Sequence, residues 1–150
     1  MKVTINQNME ISEDEIIINC SYLDDRLKQL IELIRQYSFS IILYKGNESY
    51  HVPLESIFYF DSADGKSFAY TRDKIYEAKE SLSDLENRLS TTPFVRISKN
   101  CIVNSSCLVK VKPLVNHRLE ATLKNNEKVI VSRNYIQLLK EKLLSRGGLI

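Results

Sequence analysis

Two stretches of this chain carry side chains whose types and spacing suit chemistry on a polyanion. They are Phe94-Val95-Arg96-Ile97-Ser98-Lys99-Asn100-Cys101-Ile102-Val103-Asn104 and Val129-Ile130-Val131-Ser132-Arg133-Asn134-Tyr135. Each is an apolar, β-type run that breaks into basic and amide groups, Lys99 with Asn100 in one and Arg133 with Asn134 in the other. A strand rich in Val and Ile has no packing reason to end in guanidinium, ammonium and carboxamide groups together. Those are the groups that reach phosphates and base edges. Arg133 offers a planar fork of donors matching the O6/N7 pair of guanine. Asn134 suits adenine N6/N7, and equally suits bracing the Arg133 loop or capping a following helix. Lys99 suits a guanine edge or a phosphate, and Asn100 a phosphate or its own turn. Arg96 alternates with Val95 and Ile97, so it faces away from them, toward a phosphate or a carboxylate such as Asp61. Asn104 fits the satisfaction of turn backbone groups.

The charge distribution agrees. Net charge over 150 residues is only +2, but residues 91–150 carry eleven Lys/Arg against three Asp/Glu, net +8. Residues 1–40 and 41–90 are each net −3. A basic C-terminal part beside a slightly acidic remainder is the asymmetry expected where one end meets nucleic acid. Lys110, Lys112, Lys124 and Lys128 add a diffuse field or are simply solvated. Catalysis finds little support. His51 and His117 are isolated from any Gly-x-Ser-x-Gly, Cys-His or HExxH pattern, and four glycines form no phosphate-binding loop. Asp24-Asp25 sits at a helix start, where capping and the helix dipole account for it. Neither a cofactor nor a small-molecule substrate is therefore expected. Cys20, Cys101 and Cys107 lack CxxC spacing and read as reduced thiols, the latter two as small core residues. No apolar segment is long enough for a membrane span and no signal peptide is evident, so a cytoplasmic protein is expected.

The elements that must position these groups follow from periodicity. Val3 and Ile5, then Ile16-Ile17-Ile18, read as a small hairpin joined by the acidic loop around Ser12-Glu13-Asp14. Ser21 is placed to cap a helix whose stripe is Leu23, Leu27, Leu30, Ile34 and Tyr37. That stripe is wider than a lone helix can shelter and calls for packing on the main domain or on a second subunit. From Ser40 onward the pattern is of short strands: Ile41–Tyr44, Tyr50–Pro53, Ile57–Phe60, Ser67–Thr71 and Ile75-Tyr76. Asp61–Lys66 reads as a loop and Lys45-Gly46-Asn47 as a turn. Ala78, Leu82, Leu85 and Leu89 predict one helix, ended by Pro93. Phe94–Ser98, Cys101–Val103 and Cys107–Val111 follow as strands. Leu119–Leu123 and Lys128–Val131 form a hairpin through Asn125-Asn126, read as a type I′ turn. Ile136, Leu139 and Leu143 suggest a closing helix. The fold class is mostly β, preceded by a strand-and-helix extension over residues 1–39, with the main domain over 40–150.

Residues from about Ile41 to Leu144 resemble the LytTR-type DNA-binding domain of bacterial transcriptional regulators. The resemblance rests on Ile57-Phe58-Tyr59-Phe60-Asp61-Ser62, on the leucine-spaced helix ending at Leu89, on Phe94–Asn100 with Ile102-Val103-Asn104, and on Val131-Ser132-Arg133-Asn134-Tyr135. The extension is similar to that of free-standing regulators of this type, which lack a receiver domain. The resemblance implies an elongated fold of several small antiparallel sheets that reads double-stranded promoter DNA with loops. It places DNA contacts on Lys66 and Ser67, on Lys99 and Asn100, and on Arg133 and Asn134. Ser98 stands where the family often has His. The resemblance also implies a membrane-protein inhibitor as control partner. A homodimer, with residues 1–39 as its dimerisation element, is expected from the exposed stripe. The alternative is a protein-interaction module built on that helix, with only nonspecific DNA affinity.

Overall fold

A computed structural model describes residues 1–12, 15–38 and 40–144. Helix α1 (Asp25–Ser38) opens the ordered elements. There follow β1 (Ser40–Lys45), β2 (Glu48–Pro53), β3 (Ile57–Ala63), β4 (Lys66–Thr71), β5 (Ile75–Ala78) and α2 (Leu82–Arg88). Then come β6 (Phe94–Ser98), β7 (Cys101–Asn104), β8 (Leu108–Pro113), β9 (Leu119–Leu123), β10 (Lys128–Val131) and α3 (Ile136–Leu144). All strand pairs are antiparallel. One sheet has seven strands in the order β2-β1-β5-β4-β3-β7-β6, the other three in the order β10-β9-β8. The expected mostly β class, with more than one antiparallel sheet and short helices, holds.

Two cores flank the large sheet. Ile41, Leu43, Ile57, Phe60, Ala69 and Ile102 pack with Leu82, Leu85 and Leu89 of α2 on one side. Phe58, Val95, Ile97 and Val103 pack with Ala121, Leu123 and Val131 of the small sheet and Leu139 and Leu143 of α3 on the other. β6 and β7 therefore feed both cores, which is why Phe94-Val95-x-Ile97 reads as nearly continuous apolar sequence rather than alternating. Asn104 knots the two cores: it is fully buried, its Nδ2 donates to the Ile57 carbonyl at 3.0 Å, and its Oδ1 accepts from the Ser106 amide at 3.1 Å and the Ser106 hydroxyl at 2.6 Å.

Several expectations are corrected. Asp61–Lys66 is not a loop. β3 runs on to Ala63, and only Asp64 (φ 54°) and Gly65 (φ 75°) turn the chain, both in the left-handed region that a type I′ hairpin requires. Ala78 belongs to β5, not to α2, which starts after Ser81; the Ser81 hydroxyl caps it by accepting from the Asp84 amide at 3.1 Å. Its four-residue spacing from Leu82 is a coincidence of two different elements. The β9–β10 connection is a four-residue loop, 124–127, with only Asn126 left-handed (φ 68°), closed by Asn126 N–H to Leu123 O and Leu123 N–H to Glu127 O. Asp24, not Ser21, caps α1: its Oδ1 accepts from the Leu27 amide at 2.9 Å.

The hairpin expected before α1 is absent among the described residues: 1–12 and 15–24 contain no strand. Two short apolar runs with no third strand and no core beneath them cannot sustain a hairpin in water. Val3, Ile5, Ile16 and Ile17 are exposed. The Glu13-Asp14 loop, the side chain of Tyr37, and position 39 at the domain boundary lie outside the described residues. Leu27, Leu30, Ile31 and Ile34 are half-buried, with α1 lying against the Leu54–Ser56 turn and β2. Among the described residues no helix is long and apolar enough to cross a membrane.

Candidate nucleic-acid interface

The strand registers decide where the three sequence motifs end up. β3 pairs Asp61 with Cys101 of β7 and Ala63 with Lys66 of β4. The Asp64-Gly65 turn and the Lys99-Asn100 turn therefore leave the same end of the large sheet. They are joined directly: the Ser62 amide donates to Asn100 O at 3.0 Å, and the Ser62 hydroxyl to Asn100 Oδ1 at 3.2 Å. The third turn comes from the other sheet. The Ser132 amide donates to Ile97 O at 2.9 Å, which fixes the exit of β10 two residues from Lys99. Three turns from two sheets are thus stitched together at one end of the molecule.

Their side chains differ in availability. Lys99, Asn100, Arg133 and Asn134 are exposed, and among the described residues Lys99 and Arg133 take part in no ion pair. Arg133 opens a short 3-10 turn, Arg133–Tyr135, that runs straight into α3. Tyr135 and Ile136 pack on the second core behind it, so the arginine projects from an anchored base. Asn100 serves its own turn: its amide donates to Ser98 Oγ at 3.2 Å and its Oδ1 is held by Ser62. Asn134 makes no capping bond to α3 among the described residues. Lys66 is exposed and lies 4.0 Å from Glu77 Oε1, a contact that water weakens to little. Ser67 is a correction. It sits between Ser62 and Ala78 in the ladder and is 6% exposed, so its hydroxyl does not face outward.

Arg96 is structural at its tip, with a partner other than the expected Asp61. Its Nη1 lies 3.2 Å from Glu86 Oε1 of α2, its Nε donates to Ser98 O at 2.8 Å, and its Nη2 donates to Lys99 O. Asp61 instead accepts from the Tyr70 hydroxyl; burial pushes its carboxyl above the usual range, with that hydrogen bond pulling the other way. Next to it the Cys101 thiol is pushed up to about 12, first by burial and then by the Asp61 charge, against the pull of Arg96. It is therefore a packing group, not a nucleophile. Lys79 follows β5 directly, one residue after Ala78, which pairs with Ser67 next to Lys66, and its Nζ lies 4.2 Å from the Tyr44 ring centroid. No motif in the sequence marks Lys79; only the register of two strands brings it here. Among the described residues no three His, Cys, Asp or Glu side chains gather as metal ligands would.

Comparison with known proteins matches residues 47–144 to the family described as the LytTr DNA-binding domain. An uncharacterized HTH-type transcriptional regulator of Staphylococcus aureus is 27% identical over 145 residues, 95% of this chain and 98% of its own length. The sensory transduction protein LytT of Bacillus cereus is 32% identical over 92 residues, covering 61% of this chain. The chain spans only 37% of that relative's length. A solved LytTr DNA-binding domain of a response regulator from Bacillus cereus superposes with a TM-score of 0.65 at 23% identity, over 69% of this chain and 95% of its own, and speaks for the fold. Among the described residues no two α-helices follow one another without strands between them, so a helix-turn-helix, as the name of the staphylococcal relative has it, is not the architecture found here.

Proposed function

The chain belongs to the LytTr DNA-binding domain family, and from that premise we propose that it is a cytoplasmic transcriptional regulator binding double-stranded DNA in a sequence-specific way. One observation carries this reading: three turns, each carrying or adjoining a basic side chain, leave one end of the molecule, with the Lys99 turn bonded to Ser62 of β3 and the strand before it bonded to Ser132, which precedes the Arg133 turn. Arg133 reads a guanine edge, Lys99 a base edge or phosphate, and Lys66 and Lys79 hold the backbone. Asn100 sets the geometry of the Lys99 turn, and Asn134 offers an adenine pair. Major grooves are about 12 Å wide and admit such tips. Selection of bound duplexes from random DNA tests the proposal. Enrichment of a defined motif is expected; recovery of unselected sequence, with affinity vanishing over a moderate salt rise, would mark a charge-driven binder instead.

The regulator works as a homodimer through residues 1–38. Val3, Ile5, Ile16 and Ile17 are exposed among the described residues, and apolar surface of that kind in a soluble domain marks an interface. The double variant Ile16→Asp/Ile17→Asp is expected to leave unfolding unchanged and to raise the dimer dissociation constant at least roughly tenfold, since each buried Ile contributes about 1.5–3 kcal/mol. Sedimentation equilibrium reads this directly, and an unaltered dimer would remove these two residues from the interface.

A further inference from the structure

We infer that Arg96 is a positioning residue for DNA reading, a strut that sets the Lys99 turn and ties it to α2. The inference rests on the reading that puts Lys99 on DNA. Its geometric ground lies in the β6–β7 hairpin, whose register shifts between Arg96 and Ser98: Arg96 stands across from Ile102, and Ser98 already from Cys101. The carbonyls of Ser98 and Lys99 lie directly beside that irregularity. Both are collected by one guanidinium, Nε to Ser98 O and Nη2 to Lys99 O. The third edge of the guanidinium meets Glu86, on a helix whose Leu82 and Leu85 are buried in the first core.

Each element has a physical reason. A planar fork can serve two carbonyls and a carboxylate at once; an ammonium on a flexible stem cannot hold all three in fixed directions. The Arg96 side chain is only 13% exposed, so it does not reach a phosphate itself. Its charge is matched by Glu86, so it adds little to the attracting field. What it contributes is direction. The backbone at Lys99 fixes where the Lys99 side chain leaves the turn, and a reading group must be held to a fraction of an ångström to keep its bonds. Ile97, in the same strand, carries the hydrogen bond to Ser132, so the strut also steadies the seam with the Arg133 turn.

A double-mutant cycle on the full-length protein tests this, with dissociation constants measured on a duplex recovered by selection. Arg96→Lys is expected to weaken binding about tenfold in the parent and less than about threefold in a Lys99→Ala background, because the strut then has nothing to aim. Glu86→Gln, which removes the tether and leaves both carbonyl bonds, follows the same pattern at smaller amplitude and decides the matter should Arg96→Lys fail to fold. Equal losses in both backgrounds would overturn the inference, since they mark general destabilisation, and so would no loss in either. If Lys99→Ala binds as the parent does, the reading of Lys99 falls and the inference with it. A Lys99→Ala loss that is merely additive with Arg96 overturns the inference alone.

Discussion

Arg133→Ala is expected to weaken binding to the preferred duplex by about 1–3 kcal/mol, a loss of roughly 5- to 150-fold, and to flatten preference at one base position. The size follows from the site. Arg133 stands on a turn anchored by buried Val131 on one side and by Tyr135 and Ile136 on the other, so little ordering remains to be done on binding. Among the described residues it has no carboxylate partner, so its fork is free for a base. Arg133→Lys keeps the charge and loses the bidentate geometry. It is expected to restore affinity in part while leaving base preference relaxed. Selection with each variant reads both effects, and an unchanged motif for Arg133→Ala would take this residue out of base reading.

The second large effect is on stability. Asn104→Ala removes the donor to the Ile57 carbonyl and the acceptor for two Ser106 groups from a position with no solvent exposure. Buried polar groups left without partners cost about 1–3 kcal/mol each. With the Ile57 carbonyl losing its donor at a buried position, a loss of about 1–3 kcal/mol is expected, a fall in Tm of roughly 3–10 °C. Urea unfolding measures it. A loss under about 0.5 kcal/mol would mean that water or a rearranged Ser106 replaces the side chain. The effect would reach DNA binding as well, because β7 carries Asn104 at one end and leaves the Lys99-Asn100 turn at the other.

Much of this was legible in the sequence, and the failures have physical reasons. The strands around Lys99 and Arg133 are apolar on both faces, so their polar endings stood out as turns. Asp61–Lys66 was not legible as strand and tight turn, because the ladder there presents Asp61 and Ser62 toward half-exposed surface and their side chains resemble loop composition. The Asp64-Gly65 pair between them is nonetheless a strong hairpin signal. Composition has no access to the burial of Ser67, which depends on β5 lying beside β4. The partner of Arg96 is not legible in the sequence for a similar reason: Asp61 and Glu86 are both available acids, and only the packing of α2 on the first core brings Glu86 within reach. Before α1 the alternation of Val3 and Ile5 is real, but a strand needs a neighbour, and the described residues offer none.

The convergence of the three turns on one duplex is tested most directly by amide chemical shifts of the labelled full-length protein titrated with DNA. Shifts are expected to move together at Asp64–Lys66, Lys99-Asn100 and Arg133-Asn134. They are expected to stay fixed at the β4–β5 turn, Arg72–Lys74, which lies at the opposite end of β4 and is also basic. Perturbation centred on Arg72–Lys74, or confined to one of the three turns, would contradict the interface described above.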